Sequence, residues 1–428
     1  MLKQILNTIK KVFSNDKVKK KILFTGLCFL IFRALAHIPV PVVDIQKVQS
    51  IFYGSEFLSL LNIFSGGTLI RFSVVAVGIN SYITAQIIMQ LAGMVIPSIK
   101  EMQKEGESGR AKVNQYTRFI SVPLAVVQSI SVIALLKSQD LLLSTDILSL
   151  TAVIFSLVAG SMITLWIGEL ISEYGIGNGI SMILLAGIVS QIPAFVNQIS
   201  YAVYQNQLFI LSAFVIVFIA IIMLVVFMNE AVRKVVVQYA RRMRGSRLLG
   251  GQKTHLPIRV NVAGVMPIIF ALSLMLVPSF VGRILTSLDN ESWVKLGEKI
   301  IIWFDQSSVS YMVIYFILVF VFTYFSALVF FDADDLSSEL KKSGAYVPGI
   351  RPGQATKNFL EFVVSRVTLV GALFLGFIAL LPSIAQALTN IQSLAIGGTS
   401  VLIVVSVILE TSKQIESQLV GQDYEKYT

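Results

Sequence analysis

The sequence predicts an all-α polytopic membrane protein, and three observations carry that prediction. Of its 428 residues 55% are hydrophobic and only 14% charged, with a mean hydropathy of +0.79, which lies outside the range of soluble globular chains. Ten apolar runs recur along the chain, each close to the ~20 residues a spanning helix needs. One further apolar stretch, Phe57 to Phe64, is too short to cross and is followed at once by one that can.

The ten runs lie near 22–40, 74–96, 117–137, 147–171, 179–198, 207–228, 262–282, 309–331, 364–388 and 396–412. The short stretch is broken by Ser65-Gly66-Gly67-Thr68 and resumes from Leu69 to Arg71 before the second run. In lipid, broken backbone survives only where protein or a water-filled cavity satisfies its amides. The half-helix is therefore expected to fold back into the interior of a helix bundle, and such a bundle is expected to have a path through it.

Lys and Arg near span ends resist translocation and so set sidedness. Seven lysines precede the first run, which places the N-terminus, and with ten spans the C-terminus, on the cytoplasmic side. The same side collects Lys100 to Arg118, Arg233 to Arg259, Lys341 to Arg366, and Lys413 with Lys426, or 27 of the 34 basic residues. The loop after the fourth run, with Glu169 and Glu173, adds none. The basic start, the run Ile22 to Phe32 and Ala34-Leu35-Ala36 imitate a secretion signal, but Arg33 inside the run and the length of the basic segment argue against cleavage.

A single cysteine, Cys28, leaves no disulfide framework and no multi-cysteine metal site. His37 and His255 are too far apart to suggest a local motif, and no zincin, nucleophile-elbow or phosphate-loop pattern occurs. An intramembrane enzyme needs paired acids, a Ser/His dyad or a metal triad within the spans. Arg33 and Glu410 lie near span ends and form no such set. The sequence is read as that of a non-enzyme without a cofactor.

Several loops then narrow the reading. Arg33-Ala-Leu-Ala-His-Ile-Pro-Val-Pro-Val-Val-Asp44, Asn62-Ile-Phe-Ser-Gly-Gly-Thr-Leu-Ile-Arg71 and Lys104-Glu-Gly-Glu-Ser-Gly-Arg110 resemble segments of the bacterial SecY protein-translocation channel family. So do Gly175-Ile-Gly-Asn-Gly-Ile-Ser181, Thr254-His-Leu-Pro257 with Asn261-Val-Ala-Gly264, Lys341-Lys-Ser-Gly-Ala-Tyr-Val-Pro-Gly-Ile-Arg-Pro-Gly353 and Gly397-Gly-Thr-Ser400. Each motif is weak alone, but their order and spacing across nearly the whole chain make the resemblance specific. It implies ten spans in two pseudo-symmetric five-helix halves, here residues 1–200 and 201–428, with a plug near 60–72 and cytoplasmic loops at 229–260 and 332–363.

The resemblance also implies site residues. A pore ring would be formed by Ile79, Ile83, Ile180, Leu184, Ile269 and Ile403, on spans 2, 5, 7 and 10. Bulky apolar side chains around a narrow bore expel water and block ions while offering an extended polypeptide no deep binding site. Leu184 stands where the family usually has isoleucine, a change that conserves volume. The plug would include Asn62, Phe64, Ser65, Gly66, Gly67 and Arg71, with the glycines giving it freedom to be displaced. A lateral gate between spans 2 and 7, flanked by 3 and 8, would carry Thr84, Gln128 and Asn261, whose modest hydrogen bonds suit a seam that parts. Ser81 replaces a proline common in the family, which puts the bend of the second span in question.

On the cytoplasmic face the resemblance implies docking of the SecA ATPase and the ribosome through Arg241, Arg242, Arg244 and Arg247 in one loop and Arg351, Pro352 and Gly353 in the other. Exposed arginines suit ribosomal RNA phosphate and equally anionic lipid. Asp332-Ala-Asp-Asp335 replaces an Asn-Pro step common in the family. SecE-type and SecG-type small subunits, ribosomal protein, unfolded secretory chains and their signal sequences, and membrane lipid complete the implied partners, in the bacterial cytoplasmic membrane. The rival reading is a secondary transporter of small solutes, which would need ionisable or ion-coordinating residues near the midplane, where this chain offers Ile and Leu.

Overall fold

The computed structural model describes residues 15–44, 47–48, 67–138, 141, 143, 146–193, 208–239, 242–244, 247–249, 253–262, 264, 266–286, 290–305, 308–389 and 392–425. Each of the ten predicted runs overlaps a helix over at least part of its length. In chain order these are α1 (Asp16–Leu35), α2 (Asn80–Val95), then α4 (Glu107–Ser138) after the short α3 (Pro97–Lys104), α5 (Ile147–Tyr174), α6 (Gly179–Val189) and α7 (Leu208–Glu230). The second half of the chain contributes α8 (Met266–Thr286), α9 (Glu291–Trp303), α10 (Val309–Phe330), α11 (Ala333–Lys342), α12 (Gln354–Thr389) and α13 (Gln392–Glu425). Four of these, within α4, α5, α10 and α12, are long and apolar enough by themselves to cross a bilayer. Large apolar side chains such as Leu30, Phe155, Phe227 and Phe377 lie exposed along the bundle, as expected where the solvent is hydrocarbon.

The second predicted span differs from expectation at both ends. Residues 74–79 are turns, with Gly78 at φ 57°, and α2 begins only at Asn80. At the other end α2 stops before Pro97, and α3 leaves at 108°. Proline pushes the residue before it out of the helical region, and Ile96 is extended at φ −101°, ψ 109°. Pro97 then sits at the start of α3, where its missing N–H costs nothing. The bend thus lies at Pro97, and Ser81 within α2 is continuous helix.

The all-α expectation also needs correction, because the two basic loops contain strands. They are β1 (Val232–Tyr239), β2 (Arg242–Arg244), β3 (Arg247–Leu249), β4 (Lys253–Arg259) and β5 (Ala345–Tyr346). β1 pairs antiparallel with β4, from Val232 opposite Arg259 to Gln238 opposite Lys253, and also with β5, giving the order β4-β1-β5. The reason is a period of two inside a stretch that charge alone marks as loop: Val235 and Val237 are buried while Lys234 and Val236 face out. Val235, Ile258, Ala333, Val347, Leu360 and Val364 form a small core under this sheet, so the loops at 229–260 and 332–363 are one body. Asp332 starts α11 by accepting from the amides of Asp334 (2.9 Å) and Asp335 (3.2 Å). With acids in its first turn and Lys341 and Lys342 in its last, α11 has charges matched to its dipole. The acidic cluster that replaces the family's Asn-Pro step is therefore a helix cap.

The largest core cluster is shared between the two halves, drawing on α1, α2, α5 and α6 from the first and α7, α8, α10, α12 and α13 from the second. The halves meet along two lines: α8 packs against α2 and α4, and α13 packs against α6 and α1.

Candidate functional site

Residues expected to line a pore all belong to one extensive buried apolar cluster or pack against it. Ile79, Ile83, Leu184, Ile269 and Ile403 are all buried in the central cluster, and Ile180 packs partly buried against it. Ile79 precedes the first turn of α2 and accepts the amide of Ile83 at 3.0 Å, so the pair shares one face, as do Ile180 and Leu184 one turn apart on α6. Four segments of the chain thus contribute six branched aliphatic side chains to that cluster.

The position of α2 is set by contacts that local sequence reading missed. Ser161 on α5 donates to the carbonyl of Gly78 at 2.8 Å, and its hydroxyl also pairs with that of Ser81 at 2.8 Å. Next to it, a side-chain carbon on Gly160 would stand 2.0 Å from the Val74 carbonyl oxygen. The turn that feeds Ile79 into the cluster is therefore seated directly on the backbone of α5.

An open cavity of about 500 Å³ is lined by Ser172, Asn178, Arg259, Glu410, Lys413 and Gln414 together with Gly177. The motif from Gly175 to Ser181 builds one wall. Asn178 caps α6, its Oδ1 accepting from the amides of Ile180 (3.1 Å) and Ser181 (3.4 Å). Gly177, at φ 85°, donates its amide to Gln414 Oε1 on α13 at 2.7 Å. Glycine is required there because few L side chains accept that backbone. Lys413 pairs with Glu230 at 2.7 Å beside the cavity. Asn178 lies two residues before Ile180, and Glu410 lies seven residues, about 10 Å of helix, after Ile403, so the cavity and the apolar cluster share the elements α6 and α13.

Of the predicted plug, Asn62, Phe64, Ser65 and Gly66 lie outside the described residues. Its end is a tight turn. Gly67 is buried at φ 78° within van der Waals reach of Ser190 and Gln191 beyond α6, and Arg71 is exposed. Phe72 is buried at φ 44°, a conformation that costs a bulky residue of the order of 1–3 kcal/mol. The turn is fastened by Val40, whose amide donates to Phe72 O at 2.9 Å, and by Val74, whose amide donates to Ile38 O at 3.0 Å.

The expected gate helices do meet, since α8 packs against α2 and α4, but Thr84 and Asn261 make their hydrogen bonds elsewhere. Thr84 donates to Asn80 O within its own helix at 2.9 Å, the nearest acceptor always open to a helical threonine. Gln128 is half-buried on α4. Asn261 donates to Asn229 Oδ1 at 2.9 Å, and Asn229 donates to Ser406 Oγ at 2.7 Å. That chain lies inside the second half, joining the entry to α8 with α7 and α13. Replacing Asn229 by alanine strands both neighbours, and a loss of about 1–3 kcal/mol is expected, read as a lowered Tm in detergent while Thr84→Ala stays close to the parent.

In the two basic loops, Arg242, Arg244 and Arg247 lie in the hairpin β2–β3, and Arg241 is outside the described residues. Arg351 and Pro352 are exposed at a turn between Gly349 (φ 85°) and Gly353 (φ 102°). The turn is held by Thr356, which donates to Arg351 O at 2.9 Å, and by Ser337, which donates to Gly353 O at 2.8 Å. Lys357 is ion-paired with Asp334 beside it, so the guanidinium of Arg351 is carried on a braced backbone.

Fold and site together define a multi-pass helical membrane protein with a large buried apolar cluster and an open polar cavity. The comparisons are specific about which one. The family model SecY matches residues 73–412, and the chain belongs to the SecY family. It is 38% identical over 455 residues to the protein translocase subunit SecY of Mycobacterium tuberculosis, covering all of both chains. It is 39% identical to the protein of the same name from Bacillus subtilis, covering 98% of this chain and 99% of that one. Among solved structures it is similar to a SecY protein studied for the plug that stabilises its closed state, at TM-score 0.67 and 20% identity. It is also similar to a protein-conducting channel, at 0.65 and 19%. Each alignment covers 93% of this chain and 92% of the other.

Proposed function

We propose that this chain is the channel subunit of a bacterial protein translocase. It passes unfolded secretory polypeptides across the cytoplasmic membrane and releases transmembrane segments sideways into lipid, driven by SecA or by a translating ribosome. The observation that supports the reading is that Ile79, Ile83, Leu184, Ile269 and Ile403 are buried in one apolar cluster, with Ile180 packed against it. Such a ring holds back water and ions when empty and yields to a chain of any sequence. The full-length relatives named as translocase subunits support the same reading. The seam of α8 against α2 and α4 is the exit toward lipid, and the end of the plug at Gly67 to Phe72 closes the outer side. SecE-type and SecG-type subunits clamp the halves, and both termini are cytoplasmic.

The test is a crosslinking scan with a stalled secretory chain. Cys28→Ser removes the one cysteine, and single cysteines are placed at Ile79, Ile269 and Ile403, with exposed Met223 on α7 as the lipid-facing control. Crosslinks to the three positions and not to the control are expected. A folded, inserted protein that crosslinks at none of them overturns the reading and favours the solute transporter.

Arg351 is the docking contact of this reading. Reversing its charge removes charge-assisted hydrogen bonds of about 1.5–3 kcal/mol. Arg351→Glu is therefore expected to weaken SecA or ribosome binding by roughly tenfold or more in a flotation assay, with insertion of the channel itself unchanged.

A further inference from the structure

The helix α9 presents an apolar stripe that the described residues of the bundle leave largely exposed. It follows α8 at the end of the bundle opposite the β-sheet, since α8 begins just after β4 and α10 leads back to α11. Its packing face is narrow. Gly297 is buried against Gly282 of α8, and a side-chain carbon on Gly297 would stand 2.6 Å from the Gly282 carbonyl oxygen. Trp293, Leu296, Ile300 and Trp303 recur at the spacing that shares a helix face, and Trp293 (49%), Leu296 (48%) and Trp303 (61%) are exposed. The other side carries Glu291, Lys295 and Glu298, all exposed, with an ion pair from Lys295 to Glu291 at 2.7 Å.

Two exposed tryptophans and a leucine on 13 residues are an unfavourable surface in water. A helix of this length, about 20 Å, cannot cross a bilayer, and its charges bar it from the hydrocarbon core. Tryptophan instead favours the boundary, its ring in the acyl region and its N–H toward water. The stripe is also continuous with a surface already turned to lipid, because Leu274, Val277 and Val281 of α8 are exposed beside it.

We infer that α9 is an interfacial helix seated in the membrane surface on the side away from the basic loops, with Trp293, Leu296 and Trp303 as its anchors. Its occupant is the lipid headgroup–acyl boundary. Because Gly282 and Gly297 bring α8 and α9 into backbone contact, the anchor holds the far end of the helix that forms the seam between the halves. The inference rests on the membrane topology of the proposed function but not on transport.

The chain has only three tryptophans, and the third, Trp166, is exposed on α5, so Trp166→Phe leaves emission from α9 alone. The full-length variant is reconstituted in phosphatidylcholine–phosphatidylglycerol vesicles whose acyl chains are brominated either near the headgroup or near the bilayer centre. Most of the emission is expected to be lost with the shallow label and little with the deep one, while acrylamide in the water removes only a minor part. Strong acrylamide quenching with none from lipid places the helix in water, and quenching by neither places it under a protein partner. Stronger quenching by the deep label makes it a buried hairpin. Each of these three results overturns the inference. Adding Trp293→Phe or Trp303→Phe resolves the two anchors, and the Trp166→Phe parent decides the question by itself if either double variant fails to fold. Precursor transport by the same vesicles is measured in parallel. Intact transport without lipid contact defeats this inference alone, whereas lipid contact without transport defeats the proposed function alone.

Discussion

Valine at position 160 is expected to cost about 3 kcal/mol of stability or more, and to be the most damaging single change among those argued from this structure. Replacing a mid-helix glycine by a residue with a side chain ordinarily helps a helix by up to about 1 kcal/mol, so propensity alone predicts the opposite sign. The contact decides. A first side-chain carbon at Gly160 falls 2.0 Å from Val74 O and 2.6 Å from Val74 C, and backbone on both sides leaves nothing flexible to yield. Relief requires α5 to separate from the turn before α2, which breaks the hydrogen bond from Ser161 to Gly78 O and moves Ile79. The measurement is thermal unfolding in detergent of Gly160→Val beside Gly26→Val. Gly26 has open space around it, with nothing within 4 Å of such a carbon, and should lose far less.

Opening the apolar centre to water is the second large effect. Ile83, Ile269 and Ile403 are nearly inaccessible in the central cluster, and asparagine in their place keeps comparable bulk while offering hydrogen bonds to water. If each change removes about 1.4 kcal/mol from the barrier to an ion, conductance rises roughly tenfold per substitution. Vesicles carrying the triple variant are expected to dissipate a potassium gradient several hundred times faster than the parent, on the order of a thousandfold at the additive limit. Ile219→Asn on the exposed face of α7 should leave the gradient standing. Equal leakage from both variants means that these isoleucines are ordinary packing.

How much of this was legible beforehand depended on the range of the interaction. The ten apolar runs were readable because a membrane imposes length and composition on each segment separately, and each overlaps a helix at least in part. The bend at Pro97 was a local matter too, yet it is Ser81, a long-range contact, that the family comparison brought into question. Its partner Ser161 is 80 residues away, and nothing near either residue marks the pairing. Asn229, Asn261 and Ser406 illustrate the same limit across 177 residues. Thr84 shows the converse, since a polar side chain placed at a seam by resemblance found its acceptor four residues back in its own helix. In β1 the sequence Val235-Val236-Val237 shows no alternation, and only the fold buries Val235 and Val237 while Val236 faces out. The six aliphatic residues of the centre could be named only through motifs, because isoleucine in an apolar helix carries no mark of the direction it faces.

The sheet β4-β1-β5 has a mechanical consequence. β5 follows α11 and leads to the Arg351 turn, while β4 runs directly into Asn261 and the start of α8. Hydrogen-bonded strands resist stretching far more than loops do, so the two projecting segments form one stiff handle. A push on the turn at Arg351 would pass through β1 to the root of α8 and, through the small core at Leu360 and Val364, to α12, and so would load the helix that packs against α2 and α4.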